Sequence, residues 1–442
     1  VDSLDDHASA VSDSVAAPSW RPVLDEVTAR IAVRFARPET RATAGELLCG
    51  LLSVVERKNG WWLAEHAGHV SPNRMQRLLR TAVWDHDQAR VDLLELVTDR
   101  LGHPDAIFVI DETGFLKKGI MSVGVQRQYS GTAGRVENSQ VGVFLTYASA
   151  IGRALVDARL YLPASWCDDR GRCQAAGVPE QMAFATKPAL ALDMIEDAVR
   201  RGVRVGFVTG DEVYGADPTL RAGLRRLGLG YVLAIACNQP VQATQPVRLR
   251  PDDIAAGLGE LAWERRSCGA GSKGERFYDW AWVHDHSSDD GGVHSLLVRR
   301  ASDGELAFYR CWTPRPVPMA TLIAVAGRRW SIEEAFQAAK THIGLDHYQC
   351  RGWIAWHRFI LLAMFALAIL VITVACQQPD HVDPRHDILI ALTIGELRRL
   401  AASIAPVTPA PATAIRWSLW RRRHQATARR SHYKRRDATI ST

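Results

Sequence analysis

Two short apolar segments, Ile107-Phe108-Val109-Ile110 and Val203 to Val208, constrain this chain more than any other feature of it. Each reads as a buried strand, and each leads into an aspartate: Asp111 directly, and Asp211 through Thr209-Gly210. Strands of this kind belong in sheets covered on both faces by helices. The text around them agrees. Val123 to Tyr129 and Gln140 to Tyr147 read as two more strands joined through Ser130-Gly131-Thr132-Ala133-Gly134. A helical pattern over residues 189–201, a helix near 217–227 and a strand near 230–236 follow. Three strands, helix, strand, helix, strand is the order of a mixed sheet flanked by helices, an α/β core.

This core occupies only part of the 442 residues. Residues 1–104 predict a helical N-terminal domain, 105–239 the first part of the core, 240–318 a β-rich insertion, 319–405 a helical completion, and 406–442 a linker with a basic tail. Within the first, Gly68 suits a helix C-cap, Ser71 an N-cap and Pro72 the first helical position. The second of these short helices carries Asn73, Arg74, Gln76 and Arg77. A DNA-reading helix-turn-helix and an ordinary helical hairpin both fit. Phe359 to Cys376, broken only by Thr373, approaches the length of a membrane span; a helix buried all round is the reading favoured here, because no second span exists.

Charge and cysteines exclude some classes. The formal net charge is +6, but nine Lys and Arg lie between Arg416 and Arg436 without one Asp or Glu. Without those nine, the remainder of the 54 Lys and Arg falls below the 48 Asp and Glu, so the positive charge is a property of the tail. Eight scattered cysteines form no CxxC pair, which argues against a zinc site or a small disulfide scaffold. The acidic start, Val1 to Asp6, has no apolar stretch of a secretory signal, and the cytoplasm is the expected compartment.

An aspartate after a strand is most often a turn residue or a helix N-cap. A third acid adds weight. In Arg329-Trp330-Ser331-Ile332-Glu333-Glu334, Ser331 and Glu334 have the spacing of a capping box, giving Glu334 a structural task. Glu333, Gln337 and Lys340 then share a polar helix face, separate from the buried stripe of Ile332, Phe336, Ala339 and Ile343. Two Asp and one Glu gathered together repel strongly, and divalent cations remove that cost. Oxygen-only ligands select hard ions such as Mg²⁺ or Mn²⁺, and two such ions suit phosphodiester chemistry.

Longer stretches carry a resemblance. These are Arg57-Lys58-Asn59-Gly60-Trp61, Asp111-Glu112-Thr113-Gly114-Phe115-Leu116-Lys117-Lys118-Gly119, Gly124 to Thr132, Leu160-Tyr161-Leu162-Pro163, Gly210-Asp211-Glu212-Val213-Tyr214-Gly215 and Arg329 to Glu334. In order and spacing the chain resembles DDE-type bacterial insertion-sequence transposases, closest to insertion sequence family 701. The resemblance implies a ribonuclease H-like catalytic core, with Asp111, Asp211 and Glu333 as catalytic and metal-binding acids and two Mg²⁺ per site, Mn²⁺ substituting. It implies end cleavage and 3′-hydroxyl joining on double-stranded DNA by a homodimer or higher multimer, away from any membrane. The family's Y-x2-R-x3-E-x6-K signature falls on Arg329, Glu333 and Lys340, but Ala326 stands at the Tyr position. Lys117, Lys118, Arg329 and Lys340 are then expected at phosphates, and Arg74, Arg77, Arg421, Arg422 and Arg423 at duplex DNA. For Trp312 two readings stand, stacking on an extruded base and core packing, of which packing is favoured.

Overall fold

The computed structural model describes residues 20–244, 247–271, 274–286, 291–377, 392–404 and 411–440. The acidic N-terminus and the linker expected at 407–410 lie outside the described residues. Helices are α1 (Arg21–Ala32), α2 (Pro38–Leu52), α3 (Gly60–His66), α4 (Asn73–Arg80), α5 (His86–Leu101), α6 (Ala164–Cys167), α7 (Arg170–Ala176), α8 (Lys187–Arg200), α9 (Glu212–Ala216), α10 (Pro218–Arg226), α11 (Pro251–Ala256), α12 (Met319–Arg328), α13 (Trp330–Ala338), α14 (Trp353–Cys376), α15 (Ile394–Ile404) and α16 (Pro411–Ile440). Strands are β1 (Ile107–Leu116), β2 (Gln126–Ser130), β3 (Arg135–Ala148), β4 (Arg153–Leu160), β5 (Phe207–Gly210), β6 (Gly230–Ile235), β7 (Val241–Thr244), β8 (Val247–Leu249), β9 (Glu264–Gly271), β10 (Gly274–His284), β11 (Val293–Arg300) and β12 (Leu306–Thr313).

The chain divides into two compact units, one of Asp87–Ala338 with Arg351–Trp353, the other of the residues before Asp87, Ala339–Cys350 and those from Ile354 onward. The first unit holds one ten-stranded sheet in the order β2-β3-β1-β5-β6-β12-β11-β10-β9, with β4 also on β3. β1 pairs antiparallel with β3 and parallel with β5, and β5 parallel with β6. This is a mixed sheet flanked by helices, as the strand order predicts, and it is ribonuclease H-like, as the resemblance implies. Three features differ from expectation. The strand expected at Val203 to Val208 forms later, as β5 at Phe207–Gly210, with residues 203–206 outside it. β1 runs on through Asp111 to Leu116 instead of ending there. β4 is an additional strand: its Asp157, a charge inside an apolar stretch, is buried against Arg90 at 2.7 Å and Arg159 at 2.6 Å. The β-rich segment extends the main sheet, because β12 pairs antiparallel with β6. It has its own core of Ile235, Val241, Ile254, Ala281, Leu296, Val298 and Phe308.

In the other unit, Asn59 caps α3 by accepting from the amides of Trp61 and Trp62. Gly68 takes the left-handed backbone, φ 76°, that lets the chain turn towards α4. The N-cap of α4 is Pro72, with no side-chain cap; Ser71 precedes it and does not cap, correcting the expected boundary by one residue. Met75, Leu78 and Leu79 are buried, while Asn73, Arg74, Gln76 and Arg77 are exposed. The basic tail is the helix α16. Its Trp417 is fully buried and donates to the His69 carbonyl at 2.8 Å, and Arg421 pairs with Glu65 and lies over the Trp62 ring. Helix α14 is long and apolar enough to cross a membrane, yet 83% of its most apolar window is buried, as in a core helix.

Lys58 is 2% exposed, and its ammonium donates to the carbonyls of Gly50 and Ser53 at the end of α2. Burial, and then the charge of Arg398, push its pKa down to about 7. The unfolded chain, with an ordinary lysine, binds more protons than the folded one between pH 7 and about 10.5, so this group's contribution to stability rises with pH through that window. Stability of the native chain relative to Lys58→Met is expected to increase by about 3 kcal/mol from pH 7 to pH 9.5. Urea midpoints at the two pH values check this, and a difference that does not change with pH would refute it.

Candidate active site

The parallel register of β1 and β5 sets Ile110 beside Gly210, so the next residues, Asp111 within β1 and Asp211 just past the end of β5, lie at neighbouring points. Asp111 is half-buried and its Oδ1 accepts from the Glu112 amide at 2.7 Å. Asp211 is the N-cap of α9, accepting from the Val213 amide at 2.9 Å. It therefore has the common structural role of such an aspartate and also sits beside Asp111. Helix α9 lies close on β6: a Cβ at Gly215 would come within 1.8 Å of the Ala234 carbonyl oxygen, so only glycine fits.

Burial, then the charges of Asp211 and Glu112, raise the Asp111 carboxyl to about 8. Asp211 is also raised, by burial first and Glu112 second. The nearest cation acting on both is Arg329, which lowers each. Arg329 also pairs with Glu333 at 3.0 Å. Arg329 thus pairs with the third acid while its charge acts on both aspartates. Among the described residues no three His, Cys, Asp or Glu are gathered closely enough to hold a metal ion. The donor chemistry still suits a hard cation: oxygen ligands only, and two acids whose mutual repulsion a cation would relieve.

The expected capping box is not formed. Arg329 is itself helical, φ −52° and ψ −37°, so the chain enters α13 straight from α12 without an N-cap conformation. Ser331 is buried with its hydroxyl unpartnered, and Glu334 pairs instead with Arg153 at 2.8 Å.

Glu112 was not among the residues singled out from the sequence. Its Oε1 pairs with Lys187 at the start of α8, and its Oε2 accepts from the Tyr214 hydroxyl at 2.8 Å. Tyr214 is fully buried. Both oxygens are engaged, so Glu112 ties β1 to the helices that follow the two aspartates. Glu112→Ala strands a buried hydroxyl and is expected to cost about 1–3 kcal/mol. Tyr214→Phe in that background should recover part of the loss, which a double-mutant cycle on urea midpoints measures. Strict additivity would show that the pair is not coupled.

Other expected residues are placed as follows. Lys118 is exposed and Lys117 half-buried, both just beyond β1. Trp312 is 4% exposed and stacked on Tyr231 with ring centroids 6.2 Å apart, which is the packing reading and leaves no open face for a base. Lys340 lies in the π-helical turn Ala339–Ile343, with its pKa lowered by burial. Arg74 donates to Thr43 Oγ1 at 3.2 Å. Arg422 and Arg423 are exposed, and Arg421 is engaged by Glu65.

The sequence matches the family described as DDE superfamily endonuclease over residues 30–270, and the transposase DDE domain over 185–369. It is similar to the probable transposase for insertion sequence element IS701 of Microchaete diplosiphon, with 30% identity over 195 residues, 44% of this chain and 48% of that relative. The similarity therefore spans about half the relative's length. With more than half of the sequence matched by the first family, and with Asp111 in β1 beside Asp211 just past β5 in a ribonuclease H-like sheet, the chain belongs to the DDE endonuclease superfamily.

Proposed function

We propose that the chain is a DNA transposase that binds the ends of an insertion sequence, cleaves their phosphodiesters and joins the freed 3′-hydroxyls to target DNA. The observation that supports this reading is the register that sets Asp111 beside Asp211, with the charge of Arg329, the partner of Glu333, acting on both. Asp111 and Asp211 would hold two divalent ions, Mg²⁺ or in its place Mn²⁺, with Glu333 as third ligand once Arg329 turns to phosphate. When bound, such ions supply Lewis acidity to the attacking and leaving oxygens. The chain's own residues orient and neutralise. Lys187 and Tyr214 engage both oxygens of Glu112, and Arg329, Lys117, Lys118 and Lys340 contact phosphates. Arg74, Arg77, Arg422 and Arg423 contact duplex DNA, and two DNA ends are held by a dimer or larger multimer in the cytoplasm, on the nucleoid. A binding-only descendant of a transposase is the alternative.

The test is cleavage of labelled duplex carrying the ends of the element that encodes this chain, with Mg²⁺ or Mn²⁺. Native protein should cut at the ends, and Asp111→Ala, Asp211→Ala and Glu333→Ala should each bind without cutting. If native protein binds the ends and never cuts with either metal, the binding-only alternative replaces this reading. If Glu333→Ala still cuts and Glu334→Ala does not, the third acid is misassigned.

A further inference from the structure

Three arginines outside the carboxylate site converge on one phenol. Arg225 on α10 donates to the Tyr231 hydroxyl at 3.2 Å. Arg221, one turn earlier on α10, and Arg310 on β12 are close enough for their charges to act on that phenol as well, against the upward pull of burial. Arg310 faces Leu233 on β6 and Trp312 faces Tyr231, so strand alternation puts Arg310, Trp312 and Tyr231 on one side of the sheet.

The acceptors that Arg221 and Arg310 reach are neutral. Arg221 donates to the Gly215 carbonyl, and Arg310 Nη2 to the Pro240 carbonyl at 2.6 Å. The Nε of Arg310 is buried with no partner in the structure. Asp217, the acid that acts on Arg221, already accepts from the Leu220 amide at the start of α10. The charges of Arg310 and Arg225 act against Arg221, and guanidinium groups do not relieve such repulsion by losing a proton. Half-buried guanidinium groups that repel one another are stabilised by an anion, and planar forks match a phosphate best. The Gly215 carbonyl belongs to α9, the helix capped by Asp211, so the cluster flanks the carboxylate site.

We propose that Arg221 and Arg310, with Arg225 beside them on Tyr231, form a phosphate-binding site that takes a DNA-strand phosphodiester next to the one cleaved. This rests on the DNA-cleaving reading above. The test uses the full chain without metal, fluorescent duplexes with the element's ends or a scrambled sequence, and salt from 50 to 200 mM. Arg221→Gln/Arg310→Gln should weaken both duplexes alike, by about 5–10-fold at low salt, and reduce the slope of log K against log salt by about 0.9 for each lost phosphate. Its unfolding temperature should stay level or rise, since like charges are removed.

Unchanged affinity and slope overturn the site, and so does a fall in unfolding temperature without a change in slope, which marks a purely structural cap. Should the double variant not fold, Arg310→Lys decides: it keeps the charge and loses the fork, so affinity should fall about threefold with the slope kept, and unaltered affinity overturns the proposal. Inorganic phosphate that stabilises the native chain but not the Gln variant, with identical DNA slopes, would assign a free-phosphate site and overturn the DNA assignment. A native chain that binds in this way and fails to cut with metal defeats the cleavage reading while leaving this site standing.

Discussion

Asp111→Asn is expected to abolish strand cleavage and, in the same molecule, to make the metal-free protein harder to unfold above pH 8. Both effects have one origin. The carboxyl is half-buried beside Asp211 and Glu112, and its pKa is raised to about 8. Without a cation the folded state keeps a proton on this group between pH 4 and 8 that the unfolded chain has lost. Stability from this group therefore falls as pH rises through that window, and the full penalty is present above pH 8. Asparagine removes the charge and keeps an oxygen for the Glu112 amide, so in chelator at pH 9 the variant should gain up to a few kcal/mol over native protein. Near pH 4 the two should converge. Activity is expected to move oppositely: under the proposed function Asp111 holds a divalent ion, and loss of such a ligand removes several kcal/mol of transition-state stabilisation, about 10³-fold or more in rate. Urea midpoints in EDTA at both pH values, with gel assays of cutting, measure the two arms. A variant less stable than native protein at pH 9 would show that Asp111 is a structural residue.

How much of this site is legible in the sequence depends on how local its causes are. Asp111 and Asp211 can be read because a buried strand announces itself in a few apolar residues and each aspartate comes just after such a run, although β1 itself continues through Asp111. Glu112 cannot, because its partners Lys187 and Tyr214 lie 75 and 102 residues away and an acid beside an acid looks solvated. Strand β4 is hidden for the same reason. The charge of Asp157 argues against a buried strand until Arg90, 67 residues earlier, is seen beside it. The Ser331–Glu334 spacing is present but inactive, since a capping box needs a chain arriving in extended form, and here it arrives from α12 already helical. The three-arginine cluster joins α10 to β12, a juxtaposition that depends on the β-rich segment extending the main sheet.

Arg358→Leu should destabilise its unit by about 3–5 kcal/mol, the cost of breaking a buried charged network. Arg358 stands near the start of α14 and is 5% exposed. Its guanidinium donates to the carbonyls of Leu78 at 3.3 Å, Ala82 at 2.8 Å and Trp84 at 3.2 Å. It also lies 4.8 Å over the Trp84 ring, which itself stacks on Phe35 at 4.9 Å. One side chain thus closes the end of α4 and the bridge between Phe35 and Trp84. Leucine fills the space but leaves buried carbonyls without donors; lysine keeps the charge but not the fork, and should cost less. Urea unfolding followed by tryptophan fluorescence measures all three proteins. The same comparison separates the two readings of the apolar run. In a membrane span, an arginine near the helix end reaches for the lipid interface, and leucine in its place favours insertion. A Leu variant as stable as native protein, or one gained in the detergent fraction, would therefore count against α14 as a core helix. A folded fraction lost from the aqueous phase without that gain is what the carbonyl network requires.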